Sequence, residues 1–235
     1  MNFETIWKRT LDRYKDSKPA GDTTKYRRTT FEPKTKHKKY QTVVTVKNID
    51  TVEEAIFRPN SLMLNMASAR NPGGPNKCIT GAQEEDISRR SNLHLYLDRK
   101  FYPIDGCEVL ISKNVEIYSK GLRGRYEEYP EAKHIDIVSC AGVRNHLPGI
   151  RLEPSSEYLL RGKLETLFQA ALSAGYKDLV LSAIGCGAFR CPPEHVSLIF
   201  KDLIKKYDGC FENIIFAIYD DNFPKSNYAI FKDCF

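Results

Sequence analysis

The sequence predicts a layered α/β domain built on a largely parallel sheet. Apolar strand candidates alternate with helical segments along most of the chain, which is typical of that fold class. The chain has 235 residues, of which 41% are hydrophobic and 28% charged, so it can bury a core without disulfides or metal. Glycine-bearing or polar loops follow three of the strand candidates, where ligands bind in such sheets.

The first 40 residues differ from the rest of the chain. Residues 2–15 predict a short helix whose apolar stripe is Phe3, Ile6, Trp7, Leu11 and Tyr14. Residues 16–40 carry few apolar side chains and predict a loop or a loosely attached arm. Twelve Lys and Arg against five Asp and Glu make residues 1–40 basic, which favours a polyanionic partner or simply a solvated terminus. We therefore divide the chain into an arm, 1–40, and a domain, 41–235.

From residue 41 the predicted elements follow in order. The strand candidates of the first half are QTVVTV (41–46), SLMLNMA (61–67), GCEVLIS (106–112), NVEIYSK (114–120) and HIDIVSCA (134–141). Two helices lie between them, TVEEAIFR (51–58) with Thr51 as its cap and QEEDISRRSNLHLYLD (83–98).

The second half continues the alternation. Ser155 or Ser156 is expected to cap a helix that runs through Ala174, and Gly175 is expected to stop it. The strand DLVLSAI (178–184) leads into the glycine turn GCGAF. A helix is expected from Pro192 and Pro193 to Tyr207, and a last strand over NIIFAIYD (213–220).

Two glycine loops are candidates for binding phosphate or sugar. In GCGAF, Gly185 and Gly187 allow backbone amides to approach a ligand, while Phe189 can lie against a ribose or base. The alternative is a tight turn with Phe189 in the core. The amides of NPGGPNKCITG (71–81) can wrap a diphosphate or sugar, and the alternative there is an ordinary surface connection.

A run of acids, Glu84, Glu85 and Asp86, opens the helix that follows this loop. Acids in a first turn often only complement the helix dipole. As glycosidic acid/base groups, two adjacent helical carboxylates point about 100° apart and cannot flank one bond from opposite faces. One would then act while the other holds the substrate or the helix. Arg89 and Arg90 are expected to pair with Glu85 and Asp86 one turn earlier.

The seven cysteines are odd in number and irregularly spaced, which predicts free thiols in a reducing compartment, cytoplasmic or nuclear. Cys186 has no evident partner base and is expected to be a small buried thiol. Cys186, Cys191 and His195 lack a fourth ligand, so no metal is predicted. No apolar run is long enough to cross a membrane, and the N-terminus shows no signal-peptide core.

Two longer segments together resemble the microbial-type poly(ADP-ribose) glycohydrolases, a branch of the macrodomain superfamily: LNMASARNPGGPNKCITGAQEEDISRRSNL and LVLSAIGCGAFRCPPEHV. VEIYSKGLRGRY, HIDIVSCAGVRN and the closing IIFAIYDD stand in the expected order. The resemblance covers roughly residues 40–222, and the N-terminal helix shows a weaker similarity. Its specific feature is N-P-G-G combined with Q-E-E.

The resemblance implies a three-layer α/β/α macrodomain that binds ADP-ribose and hydrolyses ribose–ribose O-glycosidic bonds of poly(ADP-ribose) without metal or cofactor. It assigns Glu85 as the catalytic acid and Glu84 as a contact to the substrate ribose. The ligand-binding residues it implies are Asn71 near the distal ribose, Gly185, Cys186, Gly187 and Ala188 on the diphosphate, and Phe189 as the stacking ring. Gly73, Gly74 and Gln83 are also expected to bind the ligand.

One departure concerns the first loop, which in the family usually has three consecutive glycines and here reads Gly73-Gly74-Pro75. Proline removes an amide donor and is expected to restrict Gly74 to extended geometry. The expected partner is poly(ADP-ribose) or an ADP-ribosylated macromolecule, with ADP-ribose as product, no membrane, and a monomeric protein. The alternatives are removal of single ADP-ribose units from protein or nucleic acid, an ADP-ribose binding module without turnover, and nucleic-acid binding through the arm.

Overall fold

One mixed sheet forms the centre of the molecule. The computed structural model describes residues 2–146, 149–219 and 226–235. The strands lie in the order β1-β4-β5-β3-β6-β7-β2. Their bounds are β1 Thr23–Arg27, β2 Val43–Lys47, β3 Ser61–Ala67, β4 Glu108–Ser119, β5 Glu128–Ala141, β6 Asp178–Leu181 and β7 Asn213–Ala217. From β5 to β2 every neighbouring pair is parallel, and β4 is antiparallel to β5 and β1.

Helices cover both faces of this sheet. Their bounds are α1 Phe3–Arg13, α2 Thr51–Ile56, α3 Gln83–Arg89, α4 Pro154–Ser173, α5 Pro193–Lys206 and α6 Asn227–Cys234. One apolar core joins α4, α5 and α6 to the sheet, and a second joins α2 and α3 to its other face. This confirms the predicted three-layer α/β/α architecture. None of the described helices is both long enough and apolar enough to span a bilayer.

The most apolar predictions agree best with the structure. Strand β3 spans the predicted residues 61–67, and its first five residues are buried because strands and helices surround it. Helix α5 begins at Pro193, as expected for proline in a first turn, and Tyr207 is its C-cap. The last strand is confirmed for 213–217, while Asp220 of the predicted 213–220 lies outside the described residues.

The helix predicted over 83–98 ends at Arg89 because the chain then pairs with β4. The Tyr118 amide donates to the Arg90 carbonyl at 3.0 Å, and Ser91 forms a bridge with Ile117. The Asn92 amide donates to the Glu116 carbonyl at 3.1 Å, so these residues have left the helical pattern.

The interpretation of residues 16–40 as a loosely attached arm is wrong for the segment that forms β1. Residues 23–27 are the edge strand and pair with β4 from Ser112 to Glu108. Farther on, the amides of Lys39 and Tyr40 donate to the Gly209 carbonyl at 2.7 and 3.0 Å. In α1, Leu11 of the predicted stripe is 40% exposed. The boundary between residues 40 and 41 stays a prediction.

Several local details also differ from the sequence predictions. Asp50, not Thr51, caps α2, because its carboxylate accepts the amides of Val52 and Glu53. Helix α4 begins at Pro154 with Glu153 at the N-cap, so neither predicted serine has that role. Gly175, at φ +85°, does end it. GCEVLIS and NVEIYSK form one strand, β4, and α6 was not predicted.

The parallel strands bring the suspected loops to one edge. Ala67 at the end of β3 pairs with Ala141 at the end of β5, and β6 lies along the other side of β3 in the same direction. The loops that follow these three strands, which contain NPGGP, AGVRNH and GCGAF, therefore share the carboxyl edge of the sheet.

Candidate active site

The loop after β3 closes on itself before α3 begins. The Gly74 amide donates to the Asn71 carbonyl at 2.9 Å. Lys77 Nζ donates to the carbonyls of Pro72 and Gly74 at 2.8 and 2.6 Å. Burial lowers the pKa of Lys77, since it is surrounded by protein. Asn71 is exposed at the outer rim of this loop, which leaves its side chain accessible to a ligand.

Both glycines of this loop adopt left-handed conformations, with φ of +70° for Gly73 and +82° for Gly74. The expectation that Pro75 restricts Gly74 to extended geometry is therefore wrong, because glycine lacks the Cβ that penalises positive φ. The hydroxyl of Ser88 on α3 donates to the Gly73 carbonyl at 3.1 Å, which holds the loop against the helix.

Glu85 lies directly over this loop. Its carboxyl is so near the backbone of Gly74 that a Cβ there would be 2.4 Å from Glu85 Cδ and Oε1. The residue is 5% exposed. A buried carboxyl beside a glycine backbone is suited to proton transfer to a ligand held in that loop.

Glu84 is buried beside it and is partly satisfied by the protein. Its Oε2 accepts the Ser68 amide at 2.6 Å, whereas its buried Oε1 has no hydrogen-bond partner among the described residues. Burial raises the pKa of Glu84 to about 8, the Glu85 charge adds to the rise, and the Ser68 N–H opposes it. The raised pKa favours the protonated form of Glu84, which can donate a hydrogen bond through the free end of its carboxyl.

Gln83 joins α3 to the sheet. Its Oε1 accepts the Met66 amide at 2.7 Å, and its Nε2 donates to the Leu64 carbonyl at 3.0 Å and the Thr51 hydroxyl at 3.1 Å. Both ends of the amide are therefore bonded to protein groups that fix the start of α3. Its predicted role in ligand binding stays a prediction.

The turn after β6 presents free amides at the same edge. Gly185 has φ +76°, and a Cβ there would meet Cys191 Sγ at 2.8 Å, so the turn needs glycine. Gly187 and Ala188 are exposed, and a Cβ on Gly187 would meet nothing within 4 Å. No described group accepts a hydrogen bond from the amides of Gly187, Ala188 or Phe189. These amides can receive an anionic ligand.

Phe189 lies at the rim of this turn rather than in the core. It is half-buried, and the guanidinium carbon of Arg144 lies 5.2 Å from its ring centroid. The turn is held by the loop after β5, since the Asn145 amide donates to the Phe189 carbonyl at 2.8 Å and Cys191 Sγ donates to the Val143 carbonyl at 3.1 Å. The alternative that placed Phe189 in the core is therefore wrong.

The nearby thiols and His195 have structural partners. Burial raises the pKa of Cys186 well above its usual value and that of Cys191 to about 11, so neither is a ready nucleophile. His195 Nδ1 accepts the Leu152 amide at 2.8 Å. No cluster of three or more potential metal ligands occurs within 2–146, 149–219 and 226–235. All seven cysteines are free.

A buried charge network behind α3 was only partly predicted. Arg90 pairs with Asp86 at 2.7 Å and with Asp50 at 2.8 Å, and Arg89 Nη2 lies 3.9 Å from Asp86. Within the described part of the chain neither arginine pairs with Glu85, so that half of the prediction is wrong. The carboxyl of Glu85 is left available at the loop. Asp50 was missed, because its partner is 40 residues away in sequence.

Two cavities lined by described residues lie away from this edge. One of about 260 Å³ is lined by Tyr26, Phe31 and Gln169, between the N-terminal segment and α4. Another of about 160 Å³ is lined by Arg58, Asn114 and His134. Neither contains the paired carboxyls or the free amides, so chemistry and not cavity size identifies the carboxyl edge as the site.

The chain matches the model of a known protein family. The family model of the microbial-type PARG catalytic domain matches residues 8–123. No curated protein matches the chain significantly.

Solved structures with the same fold include poly(ADP-ribose) glycohydrolase (PARG) from Thermomonospora curvata. The similarity is 21% identity at a TM-score of 0.80, covering 99% of both chains. The form of that protein bound to the inhibitor ADP-HPD has 23% identity and a TM-score of 0.81, again over 99% of both chains. A substituted PARG from Deinococcus radiodurans in complex with ADP-ribose has 22% identity and a TM-score of 0.73, covering 98% of this chain and 90% of that one.

Proposed function

Since the chain belongs to the microbial-type PARG family, we propose that it hydrolyses the ribose–ribose O-glycosidic bonds of poly(ADP-ribose) and releases ADP-ribose. The observation that carries this proposal is the pair of buried carboxyls, Glu84 and Glu85, at the first turn of α3 against the Gly73-Gly74 loop. Such a site needs one well-placed acid, because the ribosyl transition state resembles an oxocarbenium ion.

Glu85 is the general acid and base in this mechanism. In its acid form, the Glu85 carboxyl donates a proton to the departing ribose oxygen as the glycosidic bond breaks. The resulting carboxylate then takes a proton from the water that attacks the ribosyl carbon, which restores the acid. The diphosphate of the substrate contributes negative charge that stabilises the positive transition state.

Glu84 and the two loops hold the substrate. The protonated Glu84 donates a hydrogen bond from Oε1 to a ribose oxygen, while Ser68 keeps the other oxygen in place. The free amides of Gly187 and Ala188 bind the diphosphate, and Phe189 stacks on the substrate. Asn71 lies at the exposed rim for the distal ribose.

The test is incubation with poly(ADP-ribose) and, separately, with mono-ADP-ribosylated protein, followed by quantification of free ADP-ribose. Release from the polymer alone supports the proposal. Release from the mono-modified protein alone identifies a mono-ADP-ribosyl hydrolase instead. Binding of ADP-ribose without release from either substrate identifies a binding module.

The Glu85→Gln variant tests the assignment of the acid. Glutamine keeps the size and hydrogen bonding of the side chain but cannot supply the proton, so turnover should fall by about 10²–10⁴-fold. Calorimetry should show that ADP-ribose still binds, because the diphosphate contacts lie on another loop. A folded Glu85→Gln protein that binds ADP-ribose and cleaves polymer at the parent rate would contradict this mechanism.

A further inference from the structure

The guanidinium of Arg89 is buried at the end of α3 and holds the loop that carries the glycines. Arg89 is 0% exposed. Its Nη1 donates to the carbonyls of Lys77 and Thr80 at 2.7 and 2.8 Å, and its Nε donates to the Tyr126 hydroxyl at 2.9 Å. The Tyr126 hydroxyl in turn donates to Asp86 at 2.5 Å. The planar guanidinium therefore fixes two carbonyls of the 71–81 loop.

The N-terminal helix closes over this arginine. The ring centroid of Phe3 lies 4.1 Å from the guanidinium carbon of Arg89, within the range of a cation–π contact. The Thr10 hydroxyl, also on α1, donates to the Arg89 carbonyl at 2.5 Å. Helix α1 thus contacts both the side chain and the backbone of Arg89.

Contacts continue from Arg89 to the catalytic carboxyl. The Lys77 carbonyl accepts from Arg89, while the Lys77 side chain donates to the Gly74 carbonyl at 2.6 Å. The backbone of Gly74 then packs directly against the carboxyl of Glu85. The path Arg89–Lys77–Gly74–Glu85 leaves α3 at its last residue and returns to its first turn.

A purely stabilising role explains this arrangement less well. Burial of a guanidinium is costly, and apolar residues of similar volume often stabilise a core at least as well. Arg89 Nη2 has no hydrogen-bond partner among the residues that the structure describes, and its Asp86 contact is long, at 3.9 Å. The well-formed hydrogen bonds are those to the loop and to Tyr126, so the guanidinium is used chiefly to order the loop.

We propose that Arg89, held by Phe3 and Thr10 of α1, is a positioning residue for Glu85 and acts through the 71–81 loop. This inference rests on the proposed function, because it names Glu85 as the group that is positioned. It gives Phe3 and Thr10 of α1 an indirect role in catalysis, exerted through Arg89 and the loop.

The experiment compares Phe3→Ala, Phe3→Tyr and Arg89→Lys with Leu11→Ala, a control on the exposed face of α1. Amide hydrogen exchange of a peptide covering 71–81 is measured in each, together with kcat and KM on poly(ADP-ribose). Phe3→Ala and Arg89→Lys should speed exchange in this peptide and lower kcat by on the order of 10²-fold with a smaller change in KM. Phe3→Tyr keeps the ring face and should restore both values, and Leu11→Ala should match the parent.

The outcomes separate this inference from the function itself. Unchanged loop exchange and parental kcat in folded Arg89→Lys and Phe3→Ala would overturn the positioning role. If the parent protein releases no ADP-ribose, the proposed function fails, while faster loop exchange would still support the restraint of the loop by Arg89. If Arg89→Lys does not fold, the positioning role is tested with Phe3→Ala and Thr10→Val. Each of these removes one contact from α1 and leaves the guanidinium in place.

Discussion

Gly74 and Glu85 are packed so closely that the position of one depends on the other. A Cβ on Gly74 would lie 2.4 Å from Glu85 Cδ, far inside any real contact. Gly74 also has φ +82°, which disfavours every other residue. The loop that would hold the ribose and the proposed acid are therefore coupled. A substitution in the loop is expected to move the carboxyl of Glu85.

Gly74→Ala is expected to displace Glu85 and lower turnover by on the order of 10²-fold. It should also destabilise the fold by about 1–2 kcal/mol through its left-handed backbone. Gly175→Ala is the matched control, because Gly175 has φ +85° but a Cβ there meets nothing within 4 Å. Thermal unfolding should show a comparable backbone cost in both variants, and turnover should fall only in Gly74→Ala. Parental turnover in Gly74→Ala would show that Glu85 needs no such placement.

Glu84 should make stability depend on pH in a defined direction. Its pKa is raised to about 8 in the folded protein, from 4.5. The folded state therefore retains a proton that the unfolded state loses between these values. The stabilisation is fully present below about pH 4.5 and is lost as the pH rises through about 8. Each tenfold difference in proton affinity between the two states contributes about 1.4 kcal/mol to the free energy of unfolding.

Glu84→Gln keeps a side-chain oxygen that can accept the hydrogen bond from the Ser68 amide, but the glutamine side chain does not titrate. Its unfolding free energy, measured by urea denaturation from pH 5 to 9, should therefore fall less with pH than that of the parent. A Glu85→Gln background removes the neighbouring charge and should reduce the difference. Parallel pH curves for the parent and Glu84→Gln would show that Glu84 is ionised in the folded state.

Gly187→Val tests the proposed diphosphate turn. A side chain at Gly187 meets no protein atom within 4 Å, so the fold should tolerate it, but it would occupy the space in front of the free amides. We expect weaker ADP-ribose binding with little change in melting temperature. Gly185→Ala is the contrasting variant, because its Cβ would be 2.8 Å from Cys191 Sγ and should destabilise the fold. Unchanged affinity of Gly187→Val in calorimetry would remove this turn from the site.

The sequence predicted elements whose stability comes from their own residues. The apolar run of β3 is buried from both faces, and Pro193 starts α5 by its local geometry. Prediction from the sequence failed where residues far apart in the sequence determine the structure by contacting each other. The polar β1 is held by pairing with β4 and by ion pairs of Lys25 and Arg27 to Glu108.

The candidate site likewise has parts that local sequence predicts and parts that depend on distant contacts. Local motifs indicated both loops and the two glutamates, because glycine and acid patterns are readable in short windows. The contacts around Arg89 were not predictable, since Tyr126 and Phe3 reach it from distant parts of the chain. Asp50 capping α2 while pairing with Arg90 is likewise a consequence of the tertiary fold.

The lysines of the N-terminal segment lie away from the candidate site. Lys34, Lys36, Lys38 and Lys39 are exposed, and none of them pairs with a carboxylate in the described part of the chain. The Lys39 amide bonds to Gly209 just before β7 begins, so this cluster is at the amino edge of the parallel strands, opposite the loops. A free ADP-ribose bound at the carboxyl edge would not reach it, whereas a long polymer could.

Replacing all four lysines by alanine should therefore leave the affinity for free ADP-ribose unchanged and weaken binding of long poly(ADP-ribose). Each lost phosphate contact removes counterion release, so the defect should be largest at low salt and the slope of log K against log salt should become shallower. The four-arginine variant keeps the charge and is the control, measured by the same salt titration. Equal polymer affinity of the alanine and arginine variants at low salt would mean that these lysines are only a solvated surface.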